Sequence, residues 1–171
     1  MKKLYLVRHA KSSRQYTELP DFERPLNSRG RVDAPVIGEL LKSMNISPDL
    51  IISSPATRAI ATGRILADHM NYPLNNIQVV EEIYEAWLED LIKVLKEINQ
   101  NCISVMLIGH NPGLQLIAEY LTEFPYNNIP TCGVVGLELL LDNWTDLHKN
   151  CGKILFFERP KKGKDTTNNV I

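Results

Sequence analysis

Ile103-Ser104-Val105-Met106-Leu107-Ile108 runs directly into Gly109-His110-Asn111-Pro112-Gly113, and then into Leu114 to Leu121. The first stretch is apolar and rich in β-branched residues apart from Ser104, the composition of a buried strand. The glycines and the proline break it. The apolar segment that follows reads as a helix. Strand, tight break and helix form the unit from which α/β sheets are assembled.

The pattern repeats on both sides of this segment. Leu4-Tyr5-Leu6-Val7 is a short apolar run that stops at Arg8-His9. Residues 11 to 27 are polar, carry Pro20 and Pro25, and read as a loop. From Ser28 to Met44, Val32, Val36, Ile37, Leu40, Leu41 and Met44 recur at helical spacing. Pro35 is tolerable there only near the helix start or as a kink. Asp49 to Ser53 is a second strand, and Pro55 suits the start of a helix to about Met70. Ile60, Ile65, Leu66 and Met70 form the expected apolar side of that helix. A weaker strand near Ile77 to Val80 and a helix from Glu89 to Asn99 precede Ile103. After Pro130, Val134 to Leu141 and Lys153 to Phe157 read as two strands with no helix between them. The alternation predicts a three-layer α/β/α sandwich with a mostly parallel central sheet, formed as a single domain over residues 1–160. Residues 161–171 are expected to be a polar tail.

Composition narrows the function. The chain has 171 residues, 44 % of them apolar, enough for one packed core. Its formal net charge of −1 removes the usual electrostatic reason to expect nucleic acid as a partner. No apolar run approaches the roughly 18 residues of a membrane helix, and the N-terminus turns polar too soon for a signal peptide. A cytoplasmic protein without membrane association is expected. Cys102, Cys132 and Cys151 are odd in number and widely spaced, which predicts free thiols and no structural zinc site.

In a sheet of this kind ligands gather at the C-terminal strand ends. Arg8-His9, Ser53-Ser54 and Gly109-His110 all lie at such ends. Arg58 falls in the first turn of its predicted helix, where a cation opposes the helix dipole, and a local rule broken at such a junction marks a functional residue. His110 precedes a helix whose first N–H groups favour an anion. Two arginines, two histidines and a helix start suit a phosphoryl dianion, because arginine offers fixed, forked donors to phosphate oxygens. The same two cations disfavour a metal between the histidines. His69 and His148 are expected bystanders.

With these residues in place, Leu6-Val7-Arg8-His9-Ala10-Lys11-Ser12 resembles the signature motif of the histidine phosphatase superfamily, whose fold is that of phosphoglycerate mutase. Arg24-Pro25-Leu26-Asn27-Ser28-Arg29-Gly30, Ser53-Ser54-Pro55-Ala56-Thr57-Arg58-Ala59 and Ile108-Gly109-His110-Asn111-Pro112-Gly113-Leu114 follow in the family's order. Pro130-Thr131-Cys132-Gly133 resembles a segment of its small members, and the SixA-type phosphohistidine phosphatases are the most similar group. Ala10 stands where the wider family has glycine. The resemblance implies that His9 is the nucleophile and that Arg8, Arg58 and His110 form the phosphate pocket, with the Asn111 backbone N–H a further donor. It implies no metal and no organic cofactor.

A phosphoester substrate also needs an acid for its leaving oxygen. Glu85 occupies the place of an acidic residue in larger members, and Glu82 and Asp21 are alternatives. Lys11, Ser12 and Gln15 lie within reach of substrate. Glu85 and His110 are so close in sequence that one helix and one strand nearly fill the interval, leaving no chain for the insertion that covers mutase sites. A shallow, open site is therefore expected. The partner implied is a phosphohistidine-bearing protein. The alternatives are a phosphatase of small phosphoesters or phosphorylated metabolites, and a phospho-binding module without catalysis.

Overall fold

The computed structural model describes residues 1–161. The strands are β1 (Lys2–Arg8), β2 (Leu50–Ser53), β3 (Gln78–Val79), β4 (Ser104–Gly109), β5 (Val134–Leu139) and β6 (Gly152–Glu158). The helices are α1 (Ser28–Ser43), α2 (Thr57–His69), α3 (Leu88–Lys96) and α4 (Gly113–Thr122). One sheet runs in the order β3-β2-β4-β1-β5-β6. The pairs β2–β3, β2–β4 and β1–β4 are parallel, and β5 runs antiparallel to both β1 and β6. The α/β, mostly parallel sheet expected from the sequence is the observed fold. All but the first residue of the predicted tail lies outside the described residues.

Period-two alternation divides the core between the faces of the sheet. Tyr5 and Val7 of β1 pack with Ile37 and Leu41 of α1 and Leu66 of α2. Leu4 and Leu6 point the other way, into a cluster with Leu91 and Leu95 of α3 and Leu114 and Ile117 of α4. The central strands β1, β2 and β4 are covered on both sides, so they read as continuous apolar runs.

Val32 and Val36 share the helical spacing of Ile37, Leu40 and Leu41, yet they are 64 % and 56 % exposed. The helix turns Ala34, Ile37, Gly38 and Leu41 inward instead. A Cβ on Gly38 would collide with the His69 ring, so the small residues mark where α1 and α2 approach most closely. Pro35 lies well inside α1, past its first turn.

The topology aligns three strand ends. Arg8 is in register with Gly109, and Ser53 with Ile108. The His9 N–H donates to the Gly109 carbonyl at 3.1 Å, and the Ser54 N–H to the Ile108 carbonyl at 2.9 Å. The residues after β1, β2 and β4 are thereby side by side.

Candidate active site

His9 is only 8 % exposed and forms the floor of the site. Its Nδ1 lies 2.7 Å from the Ala10 carbonyl. A carbonyl can only accept, so Nδ1 carries the proton and Nε2 keeps its lone pair. The Arg58 Nε–H points at that Nε2 from 3.3 Å. Burial first, then the charges of Arg58, Arg8 and Arg24, outweigh the Ala10 contact and lower the His9 pKa to about 4. The imidazole is neutral at physiological pH, the form that attacks phosphorus.

His110 stands across the pocket, its ring centroid 5.0 Å from that of His9. Its Nε2 is 2.8 Å from the Ser54 hydroxyl, while its Nδ1 is buried without a partner. Burial, then the proximity of His9 and Arg58, lowers its pKa to about 3. Arg8 is anchored by donation from Nη1 to the Ile129 carbonyl at 2.7 Å, and its Nε is buried and unpaired. The structure thus brings His9, Arg58 and His110 together, and Arg8 lines the same cleft as His9.

The segment Pro130–Gly133 closes the end of β1 from behind. The Arg8 N–H donates to the Gly133 carbonyl, and the Cys132 N–H is shared between the carbonyls of Arg8 and His9. Cys132 holds a φ of 60° in that turn, and burial pushes its thiol up to about 12. It remains protonated and does not compete with His9 as nucleophile. Thr62 supports the other side: its hydroxyl accepts from the Ala10 N–H at 2.9 Å and donates to the Arg58 carbonyl at 2.7 Å.

The loop of residues 11–27 supplies the rim. It is pinned at its neck by a Ser12–Leu26 bridge and by donation from the Ser13 N–H to the Pro25 carbonyl at 2.8 Å. Asn27 caps α1 by accepting from the Gly30 N–H, and its own N–H reaches the Lys11 carbonyl. Gly30 is required there, since a Cβ would overlap the Lys11 carbonyl oxygen. At the tip, Asp21 accepts from Arg58 Nη2 at 2.8 Å and pairs with Arg24 at 3.0 Å. The Tyr84 hydroxyl donates to the same carboxylate at 3.1 Å, and the Tyr84 ring packs edge-on against His110.

These contacts give Asp21 a different character from the expected acid. Partial burial raises its pKa, but hydrogen bonds from Arg58 and Tyr84 and the two arginine charges more than reverse this, leaving it lowered. An ionised carboxylate on two arginines is a clamp rather than a proton donor. Glu85, with a φ of 55°, and Glu82 are exposed, and neither bonds to Arg8, His9, Arg58 or His110. His69 pairs with Glu39 at 2.6 Å, and His148 contacts the Asp146 carbonyl; neither enters the site. The shallow site expected from the sequence needs correction: His9 is buried at the bottom of the cleft, while Lys11 and Arg14 on the rim are exposed.

Tyr84, Ser54 and Thr62 received no role from the sequence. Ser54 sits at a strand end already marked for function, and Tyr84 adjoins Glu85. Thr62 carried no signal, because its task depends on α2 packing beneath Ala10.

A site of this kind, with histidine and arginine at the ends of adjacent parallel strands, defines a phosphoryl-transfer enzyme of the histidine phosphatase type. Residues 4–100 match the model of the histidine phosphatase superfamily (branch 1), and the chain belongs to that family. Among solved structures, one from Agrobacterium tumefaciens, assigned to the phosphohistidine phosphatase SixA, is 27 % identical, with a TM-score of 0.78 over 94 % of this chain and 99 % of that one. The protein histidine phosphatase SixA complexed with tungstate is 20 % identical and superposes with a TM-score of 0.79 over 92 % and 97 % of the two chains. A histidine-to-alanine variant of phosphoserine phosphatase from Entamoeba histolytica, bound to phosphoserine, shares the fold at 15 % identity and a TM-score of 0.63, over 92 % and 96 %. The protein is therefore a phosphatase of this superfamily with SixA-like architecture.

Proposed function

We propose that the protein hydrolyses phosphohistidine on other proteins through a covalent phosphohistidine formed on His9, with no metal or organic cofactor. The observation that carries the reaction is the state of His9. Its Nδ1 proton is committed to the Ala10 carbonyl, and its Nε2 lone pair, beside His110, accepts from the Arg58 Nε–H, a contact that an entering phosphoryl group replaces.

In the first step Nε2 attacks phosphorus, and the bond from phosphorus to the substrate nitrogen breaks. A substrate ring protonated on its other nitrogen leaves as neutral imidazole. In the second step water attacks the phosphorus on His9, the P–N bond breaks, and inorganic phosphate is released. Arg8 and Arg58 spread the charge of both transition states, with the Asn111 backbone N–H as a further donor. His110 is neutral and can donate a hydrogen bond to a phosphoryl oxygen.

Two features support phosphohistidine as the substrate. A neutral imidazole leaving group removes the need for a carboxylic acid, and the nearest carboxylate to Arg58 is already committed as a clamp. The interval between Glu85 and His110 holds only α3 and β4, so no inserted domain roofs the cleft against a protein-borne residue. Small phosphoesters are the second reading, favoured by the shared fold with phosphoserine phosphatase. In that case Glu85 at the rim would supply the proton. The whole catalytic unit is assigned to residues 1–160, and a cytoplasmic setting accords with the three free thiols.

The test compares a phosphohistidine protein with an aryl phosphate, in wild type and in Glu85→Gln. Faster turnover of phosphohistidine, unaffected by Glu85→Gln, is expected. Turnover of the ester alone, lost in Glu85→Gln, would establish the small-molecule reading.

A further inference from the structure

The cleft over His9 carries more positive charge than the phosphoryl group needs. Its volume is about 470 Å3, and Arg8, Lys11, Arg14 and Arg24 all line it, with no carboxylate among the lining residues. This concentration occurs in a chain whose formal net charge is −1. Arg8 and Arg58 suffice for the transferred dianion, and Asp21 offsets Arg24 from one side. Lys11 and Arg14 are left over. Both are exposed, and neither is in an ion pair among the described residues. Arg24 also retains a buried Nε with no acceptor.

The backbone beneath these cations is fixed. Lys11 and Arg14 bracket Ser12 and buried Ser13, which pair across the neck of the loop with Leu26 and Pro25. Holding like charges around one concave surface is unfavourable, and an anion entering the cleft relieves it. Three cations beyond the phosphoryl pocket, one of them partly neutralised, match a second anionic group on the substrate.

We propose that Lys11 and Arg14, backed by Arg24, form a second anion subsite beside the phosphoryl pocket. It takes an acidic side chain flanking the phosphohistidine of the partner protein. This assignment of the anion rests on the phosphohistidine reading above; the subsite itself rests on the charge and geometry of the cleft.

The experiment uses two matched phosphohistidine peptides, one with aspartates beside the phosphohistidine and one with alanines. It adds pyrophosphate and orthophosphate as competing inhibitors of aryl phosphate turnover. Wild type is compared with Lys11→Ala/Arg14→Ala, and an unchanged far-UV circular dichroism spectrum and thermal midpoint report that the double variant has folded. The acid-flanked peptide is expected to show about a tenfold advantage in kcat/KM, expressed in KM and reduced by added salt. The double variant should lose that advantage, together with most of the margin by which pyrophosphate outcompetes orthophosphate. Equal kcat/KM for the two peptides, with a pyrophosphate margin indifferent to the double substitution, overturns the subsite. Hydrolysis of neither peptide, alongside a pyrophosphate margin that still depends on Lys11 and Arg14, upholds the subsite. That result would transfer the second anion to a small phosphorylated substrate and count against the phosphohistidine reading alone.

Discussion

The floor and the rim of the active site are built differently. The floor consists of residues at the ends of β1, β2 and β4, whose positions follow from a parallel register fixed by two faces of apolar core. The rim is the loop of residues 11–27 with Tyr84, held mainly by polar contacts that meet at Asp21. The floor is set before any substrate arrives. The rim aligns Arg58 through a carboxylate that is more than half exposed. Catalytic power should therefore reside in the floor, and selectivity and fine alignment in the rim.

His9→Ala should cause the largest loss, abolishing turnover with both substrate classes while leaving the thermal transition nearly in place. Residual turnover through a phosphoenzyme in that variant would remove His9 as nucleophile. Arg58→Ala should follow, with kcat reduced on the order of 10²-fold or more, as for other preorganised transition-state donors. Near-normal turnover would show that Arg58 does not touch the phosphoryl group.

Asp21→Asn should cost less, about tenfold in kcat, because the hydrogen-bond acceptor remains while its charge is lost. As a positioning residue, it should leave the alkaline limb of the rate profile unchanged. If Asp21 were the proton donor, Asn would instead remove the limb that depends on a protonated acid.

The pH response separates floor from rim in another way. His9 and His110 have pKa values of about 4 and about 3, against an ordinary histidine value of 6.5. The unfolded chain thus binds more protons than the native one below that ordinary value. The stability gained by holding both rings neutral is fully present above it and is lost as pH falls toward the folded values. The thermal midpoint should fall on acidification, and less so in His110→Ala. Phosphoenzyme formation should persist to about pH 5 and decline as His9 protonates. A stable midpoint across this window would contradict the assigned burial of the two rings. The smallest effect is expected at His69→Ala, remote from both regions. Its solvent-screened pair with Glu39 adds little to stability, and activity should be unchanged.

The floor was legible because its signals are local. An apolar run ending at Arg8-His9, or at Gly109-His110, carries strand, break and functional side chain within a few residues. The rim was not. Arg58 and Asp21 are 37 residues apart, and Tyr84 and Asp21 are 63 apart, so no short window contains both partners. Asp21 stands among the candidate acids because its sequence shows a carboxylate but not the two arginines that ionise it. The orientation of α1 failed for a related reason. Its buried face is made partly of Ala34 and Gly38, whose value lies in close helix approach rather than hydrophobicity. Val32 and Val36 satisfy the helical period but stand on the outer side.

The most direct test of the account is to mix the protein with a phosphohistidine-bearing protein in the absence of added metal, quench rapidly, and locate the phosphoryl group by mass spectrometry of the digested chain under conditions that preserve phosphohistidine. A transient phosphoryl group is expected on His9, absent in His9→Ala, that decays as inorganic phosphate appears. Phosphate release with wild-type kinetics and no modification of His9 at any time would contradict it.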